Sequence, residues 1–347
     1  MSELELFGVA VTLLTLFAGF GVLIGLLFGF FGMGGSFLVT PALMVMGYDT
    51  DVAVASGLAF VFGTSVIATL KHRDLGQVDY KLGVLMIAGT TAGIEVGKLG
   101  LHWLQSIGQA DLVVSVAYVG LLGGIGAFIT YTALRGDGDG GIDHDVAEDA
   151  EVDAEDIPDV AKKIQSYRVP PMMSLKGGIT VSLWMILAVA FATGLLSGLL
   201  GVGGGFIRMP ALFYLVGVPV PVAVGTDLFE IVFSGGIGSF LYAMDGAVNL
   251  AIVVPLLAGS AFGARLGAAA TALVEEDDIK VYFGVMLLLG ALAVAVRKVG
   301  GWIEMPVLDT VALVIIIGAA LLVSGAVVVS SIRELRTETS STPQTAD

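Results

Sequence analysis

The chain has no cysteine in 347 residues, three histidines, and only 14% charged residues. The first absence excludes disulfides, thiolate metal sites and any relay that carries sulfur on a thiol. The histidines, His72, His102 and His144, are scattered and lack the spacing of a His-Glu-x-x-His motif. Neither a metal centre nor an intramembrane metalloenzyme is therefore expected. No phosphate-cradling loop of the glycine-lysine type is present, so direct coupling to a nucleotide is not expected either. We expect no cofactor, no catalytic residues and no enzyme. The scarcity of charge sets the class. Soluble domains carry roughly one quarter charged residues, and a water-facing surface would not cover a chain that is 56% hydrophobic. A polytopic membrane protein is the reading, with mean hydropathy +0.95.

The charge that remains is acidic and unevenly placed. The net charge is −15, and the stretch from Asp137 to Asp159 holds about a third of the carboxylates. With almost no apolar content, it reads as a solvated, disordered linker. This sign of charge excludes nucleic acid as a partner. Aspartate outnumbers glutamate and lysine is scarce, a halophile-like bias that suits a salty cytoplasm. The segment Met1 to Leu6 carries Glu3 and Glu5 but no basic residue. It lacks the basic start of a signal peptide, so the first apolar stretch is expected to be retained.

A spanning helix needs about 20 mostly apolar residues. Nine stretches qualify: 7–31, 52–70, 82–101, 112–134, 179–200, 222–243, 250–273, 281–296 and 307–331. Two more, 37–47 and 206–218, are too short to span and each follows a glycine cluster. The pattern restarts after the linker. Leu27 to Phe37, containing Gly29, Gly32, Gly34 and Gly35, matches Leu196 to Phe206, containing Gly198, Gly201, Gly203, Gly204 and Gly205. Pro41 matches Pro210 at an offset of 169. From there the offset is 170, pairing Ser56 with Thr226, Gly76 with Gly246, Asp79 with Asn249, and Gly89, Gly93 and Gly97 with Gly259, Gly263 and Gly267.

The expected fold is all-α: two homologous repeats of four transmembrane helices plus one short broken or re-entrant segment each, and one extra C-terminal helix. Residues 1–134 form the first repeat, 135–177 the acidic linker, 178–300 the second repeat, and 301–347 the added helix and polar tail. Duplicated halves are a transporter signature, and their orientation hinges on whether the short segments cross the membrane. Lys71, Arg73 and Lys81, with Arg135, Lys162, Lys163, Arg168 and Lys176 around the linker, put that face in the cytoplasm. Arg297, Lys298, Arg333 and Arg336 need not share it.

The glycine clusters carry the candidate site. A helix that breaks at membrane depth must line a cavity or be buried in protein. The amides of Gly34, Gly35 and Ser36, and of Gly203, Gly204 and Gly205, would form anion-binding nests where the short helices begin. The competing reading is a tight packing turn. Arg208 offers a fixed positive charge or a snorkelling one. Thr226 adjoins a break and, like Ser36, Thr40 and Ser234, offers a hydroxyl. Asp227 and Glu230 stand one helical turn apart. Ionisable groups inside spans are expensive and functional by default, so this pair is the candidate for a coupling proton or cation, the competing reading being that both reach the interface and are solvated there. Glu95 and Arg265 occupy equivalent repeat positions and form a candidate ion pair, with Lys98 as a rival partner for Glu95. The Gly-xxx-Gly triplets read as helix-packing stripes.

Gly29-x-x-Gly32-Met33-Gly34-Gly35 with Pro41, its echo from Gly198 to Pro210, Ala223-Val224-Gly225-Thr226, and Gly76-x-Val78-Asp79 with Gly246-x-Val248-Asn249 resemble the TauE/SafE family of membrane transporters. The resemblance covers about residues 7–298 without the linker. It implies a duplicated helical bundle in the plasma membrane and export of sulfite or organosulfonates. The chain departs from the family in its long acidic linker, its added C-terminal helix, and Asp227 where the family commonly has a small hydroxyl residue. The expected partners are the small anion, membrane lipid and, as an open alternative, further copies of the chain. A carrier or channel for another small anion, or a non-transporting membrane scaffold, are the alternatives.

Overall fold

The computed structural model describes residues 5–6, 9–31, 36–74, 76, 78–135, 169–175, 180–218, 220–270 and 276–341. The helices, in chain order, are α1 (Val11–Phe31), α2 (Ser36–Val45), α3 (Thr50–Asp74), α4 (Tyr80–Ser106), α5 (Ala110–Arg135), α6 (Leu183–Leu200), α7 (Gly205–Ala211, continued by a π-turn at Leu212–Val216), α8 (Val220–Met244), α9 (Leu250–Ala270), α10 (Glu276–Trp302) and α11 (Val307–Ser341). Nine of them, all but α2 and α7, are long and apolar enough to cross a membrane among the described residues. Large apolar side chains such as Phe262, Trp184, Phe240 and Leu99 are exposed around the bundle, as expected of a surface solvated by acyl chains rather than water. The chain is an all-α, multi-pass integral membrane protein.

Without a hydrophobic force between helices in lipid, close backbone approach is what holds such a bundle together. The glycine stripes supply it. Gly21, Gly25 and Gly29 of α1 meet the backbone of Leu256, Ser260 and Ala264 of α9 in turn. Residue numbers rise together, so α1 and α9 run parallel. Gly89, Gly93 and Gly97 of α4 meet Ala190, Gly194 and Gly198 of α6 in the same rising order, so α4 and α6 are also parallel. A methyl group at Gly25 would stand 2.5 Å from backbone atoms of Ser260, inside any van der Waals contact. The other two principal pairs run the opposite way. Leu58 and Phe62 of α3 face Gly238 and Gly235 of α8, and Gly126 and Thr130 of α5 face Leu287 and Gly284 of α10. Falling numbers on one helix against rising numbers on the other make both pairs antiparallel.

Most of the acidic stretch, 136–168, lies outside the described residues, as does the expectation that it is disordered. Its far end is ordered. With β1 (Glu5–Leu6) and β2 (Val9–Ala10) pairing near the start of the chain, the strands β3 (Met172–Ser174) and β4 (Thr180–Ser182) form a second antiparallel ladder, Met172 opposite Ser182. Part of the span assigned to the linker is therefore structured. Apolar burial explains it: Leu175 and Val181 pack with Leu82, Met86, Ile186 and Val189 in a cluster separate from the main core. Lys81 Nζ donates to the Ser174 carbonyl at 2.8 Å, which fixes this hairpin on the membrane face where α3 meets α4.

Candidate functional site

The second glycine cluster is a helix break. The chain leaves α6 at Gly201, whose φ of +73° is left-handed, and Gly203 and Gly204 follow at +66° and +87°. L-residues with a Cβ rarely adopt this conformation. Three carbonyls at the break are caught by side chains from elsewhere, while Ser197 O keeps the Gly201 amide. Tyr242 of α8 donates to Gly198 O at 2.6 Å, Tyr118 of α5 to Leu200 O at 2.6 Å, and Thr40 of α2 to Gly201 O at 3.3 Å. The two tyrosines carried no signal in the sequence, because tyrosine in an apolar helix is common.

Below the break, α7 turns Arg208 inward. The guanidinium is fully buried. Nη1 bonds Asp227 Oδ1 at 2.8 Å and also the Glu230 carboxylate. Nε donates to Thr193 Oγ1 at 3.2 Å and Nη2 to the Gly203 carbonyl at 3.4 Å. Glu230 in turn accepts from Thr90 of α4 and from Ser234 at 3.1 Å. Asp227 and Glu230 are both buried. Glu230 lies eight residues into the span Val222–Met244, about 12 Å deep at helical rise. Removing either sign from such a group would leave uncompensated buried charge, worth several kcal/mol. Charges and donors thus converge from four helices on one point at membrane depth.

Arg208, Asp227 and Glu230 are brought together, with Ser234 beside them. Gly203 and Gly204 contribute the wall: Gly203 accepts from Arg208, and a Cβ on Gly204 would meet Nη2 at 2.8 Å. The guanidinium therefore covers the glycine turn, where an open nest was anticipated. Gly205 begins α7. Thr226 is buried one residue before Asp227, but its hydroxyl accepts the Asp79 amide at 2.9 Å. Gly34 and Gly35 lie outside the described residues. Ser36 opens α2, and its side chain is likewise undescribed. Thr40 serves the second break. Thr90 and Thr193, which complete the cluster, were missed; hydroxyls within helices usually bond the preceding turn, and nothing in the sequence separates these two from the rest.

The proposed pair Glu95–Arg265 does not form. Arg265 is exposed on α9, which packs along α1, while α4 packs along α6. Equivalent repeat positions need not be neighbours in space. Lys98 also turns from Glu95: its ammonium bonds Asp245 at 2.7 Å and the Leu241 carbonyl at 2.8 Å. That bond holds the Asp245 carboxyl, in the loop after α8, below its ordinary range. Glu95 Oε2 is buried with no hydrogen-bond partner among the described residues. Also among the described residues, no group of three His, Asp or Glu could hold a metal ion.

The halves differ sharply at this point. The positions aligned with Arg208, Asp227, Glu230 and Thr193 are Val39, Gly57, Phe60 and Ile24; Val39, Phe60 and Ile24 are buried and apolar. The hydroxyl contacts, by contrast, come in a matched pair. Thr226 accepts the Asp79 amide, and Ser56 accepts the Asn249 amide at 3.3 Å.

A broken helix and a buried ionic cluster, in a bundle with nine candidate spans among the described residues, fit a polytopic protein of the transporter class. A family model described as sulfite exporter TauE/SafE matches residues 17–294, and the chain belongs to that family. Among its relatives are the probable membrane transporter protein YunE of Bacillus subtilis, 26% identical and covering 78% of this chain and 92% of the relative. A probable membrane transporter protein of Xylella fastidiosa is 28% identical over 72% of this chain and 81% of its own length. The probable membrane transporter protein MJ0441 of Methanocaldococcus jannaschii is 24% identical over 71% and 83%. No solved structure matches the chain.

Proposed function

We propose that this chain is a secondary transporter of the plasma membrane that exports sulfite or a related small sulfur oxyanion, such as a sulfonate. The observation that carries the reading is Arg208, buried at a broken helix near mid-membrane and held between Asp227 and Glu230. A guanidinium presents a planar fork that matches an oxyanion with two parallel hydrogen bonds. In the cluster as it stands both carboxylates share one of its nitrogens, Nη1, while Nε and Nη2 donate to Thr193 and the Gly203 carbonyl. One cation against two carboxylates is a net negative charge in a dry place. A proton taken up by Glu230 neutralises it and loosens one side of the fork, and the anion takes the vacated place. Thr90, Thr193 and the backbone at Gly203 to Gly205 line the same point and supply the remaining contacts.

The helix directions support alternating access. Two homologous halves whose counterparts α3 and α8, and α5 and α10, run antiparallel are inverted repeats, and inverted repeats rock about a central site. In this arrangement α2 and α7 each carry the chain back across the membrane. If a sulfite dianion leaves with one proton, a single negative charge exits. An inside-negative potential drives that step by about 2.3 kcal/mol per 100 mV. The family's description as sulfite exporters supports the choice of anion.

The test is sulfite flux into proteoliposomes, under an imposed potential and then an imposed pH gradient, with sulfate, thiosulfate and methanesulfonate as competitors. Saturable sulfite flux, lost in Gly203→Leu, is the expected result. Absence of flux for every sulfur anion, from protein shown to be folded, overturns the substrate.

A further inference from the structure

An anion that uses Arg208 needs a route to it. On the hairpin side of the membrane a cleft of about 320 Å³ opens between the end of α3, the loop into α4, and β3. Arg73, Val78, Asp79, Tyr80, Lys81 and Ser174 line it. Two of its lining residues contact α8 beside the buried cluster. The Asp79 amide is bonded to Thr226, the residue before Asp227, and the Tyr80 ring packs edge-on against Phe229 at 5.2 Å. The Asp79 carboxylate is engaged in capping α4 through the Leu82 amide at 3.0 Å. Lys81 spends one of its three donors on Ser174 O. Arg73 is exposed and has no carboxylate partner among the described residues.

The duplication supplies an internal control. The aligned loop between α8 and α9 has the same build. Gly246 is left-handed at φ +73°, as Gly76 is at +67°. Asn249 caps α9 by accepting the Ala251 amide at 3.0 Å, as Asp79 caps α4. Its amide bonds Ser56 as the Asp79 amide bonds Thr226. Yet the positions of Arg73 and Lys81 are taken by Ala243 and Ala251. The loop therefore folds without cations at these two positions, and the one ammonium that reaches it, from Lys98, is tied to Asp245. A general excess of cations on the cytoplasmic face would not by itself draw them to the cleft above Thr226.

Resting on the transport reading above, we propose that this cleft is an anion vestibule: Arg73 and Lys81 collect a small oxyanion from the cytoplasm and deliver it past Asp79 and Thr226 to Arg208. The opposite loop carries Ala243 and Ala251 at these positions and its neighbouring Lys98 is paired with Asp245, so the two faces differ in apparent affinity. Basic clefts raise local anion concentration and capture rate, an effect that salt screens.

Orientation is read first, in neutral-lipid vesicles, from a single cysteine placed in this cysteine-free chain at Ser174 and labelled from one side. Sulfite flux is then measured from each face for wild type, Arg73→Gln, Lys81→Gln and the double variant. The double variant is expected to raise KM about tenfold for sulfite presented at the Ser174 face. KM from the other face and the maximal rate stay unchanged, and 1 M salt brings the wild type to the variant's value. Equal KM changes from both faces, or none, overturn the proposal. Unchanged kinetics with inverted orientation would make the cations topological signals only and also overturn it. An effect that appears only when anionic lipid is added assigns the cleft to a headgroup and overturns it too. A second measurement does not depend on transport: an environment-sensitive dye on Ser174→Cys, titrated with sulfite and methanesulfonate in detergent. Saturable binding lost in the double variant sustains the vestibule even if the wild type moves no sulfite. No saturable binding removes it while leaving a positive flux result intact.

Discussion

Glu230 receives Thr90, Ser234 and Arg208 at once, and this crowding makes it the residue whose proton matters most in the cluster. Its partners come from three helices: Arg208 from α7, Thr90 from α4 and Ser234 from α8 itself, with Thr193 of α6 bonded to the same guanidinium. Asp227 lies one turn before it on α8. Glu230→Gln fixes the neutral form. Sulfite flux is expected to rise with falling pH in the wild type and to lose that rise in the variant, which a pH series in proteoliposomes reads directly; an unchanged pH profile assigns the proton elsewhere. Thr226→Val removes the acceptor of a buried amide, a loss of about 1 to 3 kcal/mol, measured as a lower unfolding midpoint in detergent. Of this cluster the sequence showed the charges, since Arg208, Asp227 and Glu230 stand out against apolar spans. Thr90 and Thr193 did not stand out, because a hydroxyl becomes a site only when a partner from another helix faces it.

Among the elements, the glycine stripes have a sharp consequence. Gly25 presses on the backbone of Ser260, whereas a methyl group added at Gly19, nearly two turns earlier on the same helix, would meet nothing within 4 Å. Gly25→Leu is expected to destabilise the bundle by about 3 kcal/mol or more, and Gly19→Leu, on the open side of α1, to be nearly neutral. Thermal unfolding of both variants in one detergent decides it, and equal midpoints contradict the packing described. The stripes themselves were legible as Gly-xxx-Gly spacing. Their partners were not: equivalence by repeat suggested Glu95 with Arg265, but α4 pairs with α6 and α9 with α1. The end of the linker also misled, since a few apolar residues, Leu175 and Val181 among them, suffice to anchor a short hairpin beside an acidic stretch.

For the whole molecule, the helix directions fix which ends share a face. The hairpin, the α3–α4 loop and the end of α5 lie together. Because α10 is antiparallel to α5, it ends on the far side, and α11 returns to the hairpin side with Arg333. Arg297 and Lys298 accordingly lie at the far side, where both pair with Asp111 at the start of α5, at 2.7 and 2.6 Å. Lys98 on that side pairs with Asp245. Among the described residues these cations at the far face are thus tied to carboxylates, while Arg73 and Lys81 at the hairpin face line the cleft. Single cysteines at Ser174 and at Arg333 should react with a membrane-impermeant thiol reagent from one side, and a cysteine at Glu304 from the other; all three reacting from one side would contradict this arrangement. The nine spans were readable from hydropathy alone. The orientation of the halves was not, because segments of ten and seven helical residues are ambiguous between crossing and re-entrant until their neighbours' directions are known.

The most direct measurement follows sulfite and proton movement together in the same proteoliposomes, wild type beside Glu230→Gln. Movement of both in one direction in the wild type, with sulfite alone in the variant, is the expected result. Sulfite moving without a proton in the wild type, or a variant that still carries the proton, would contradict a site in which Glu230 yields Arg208 to the anion.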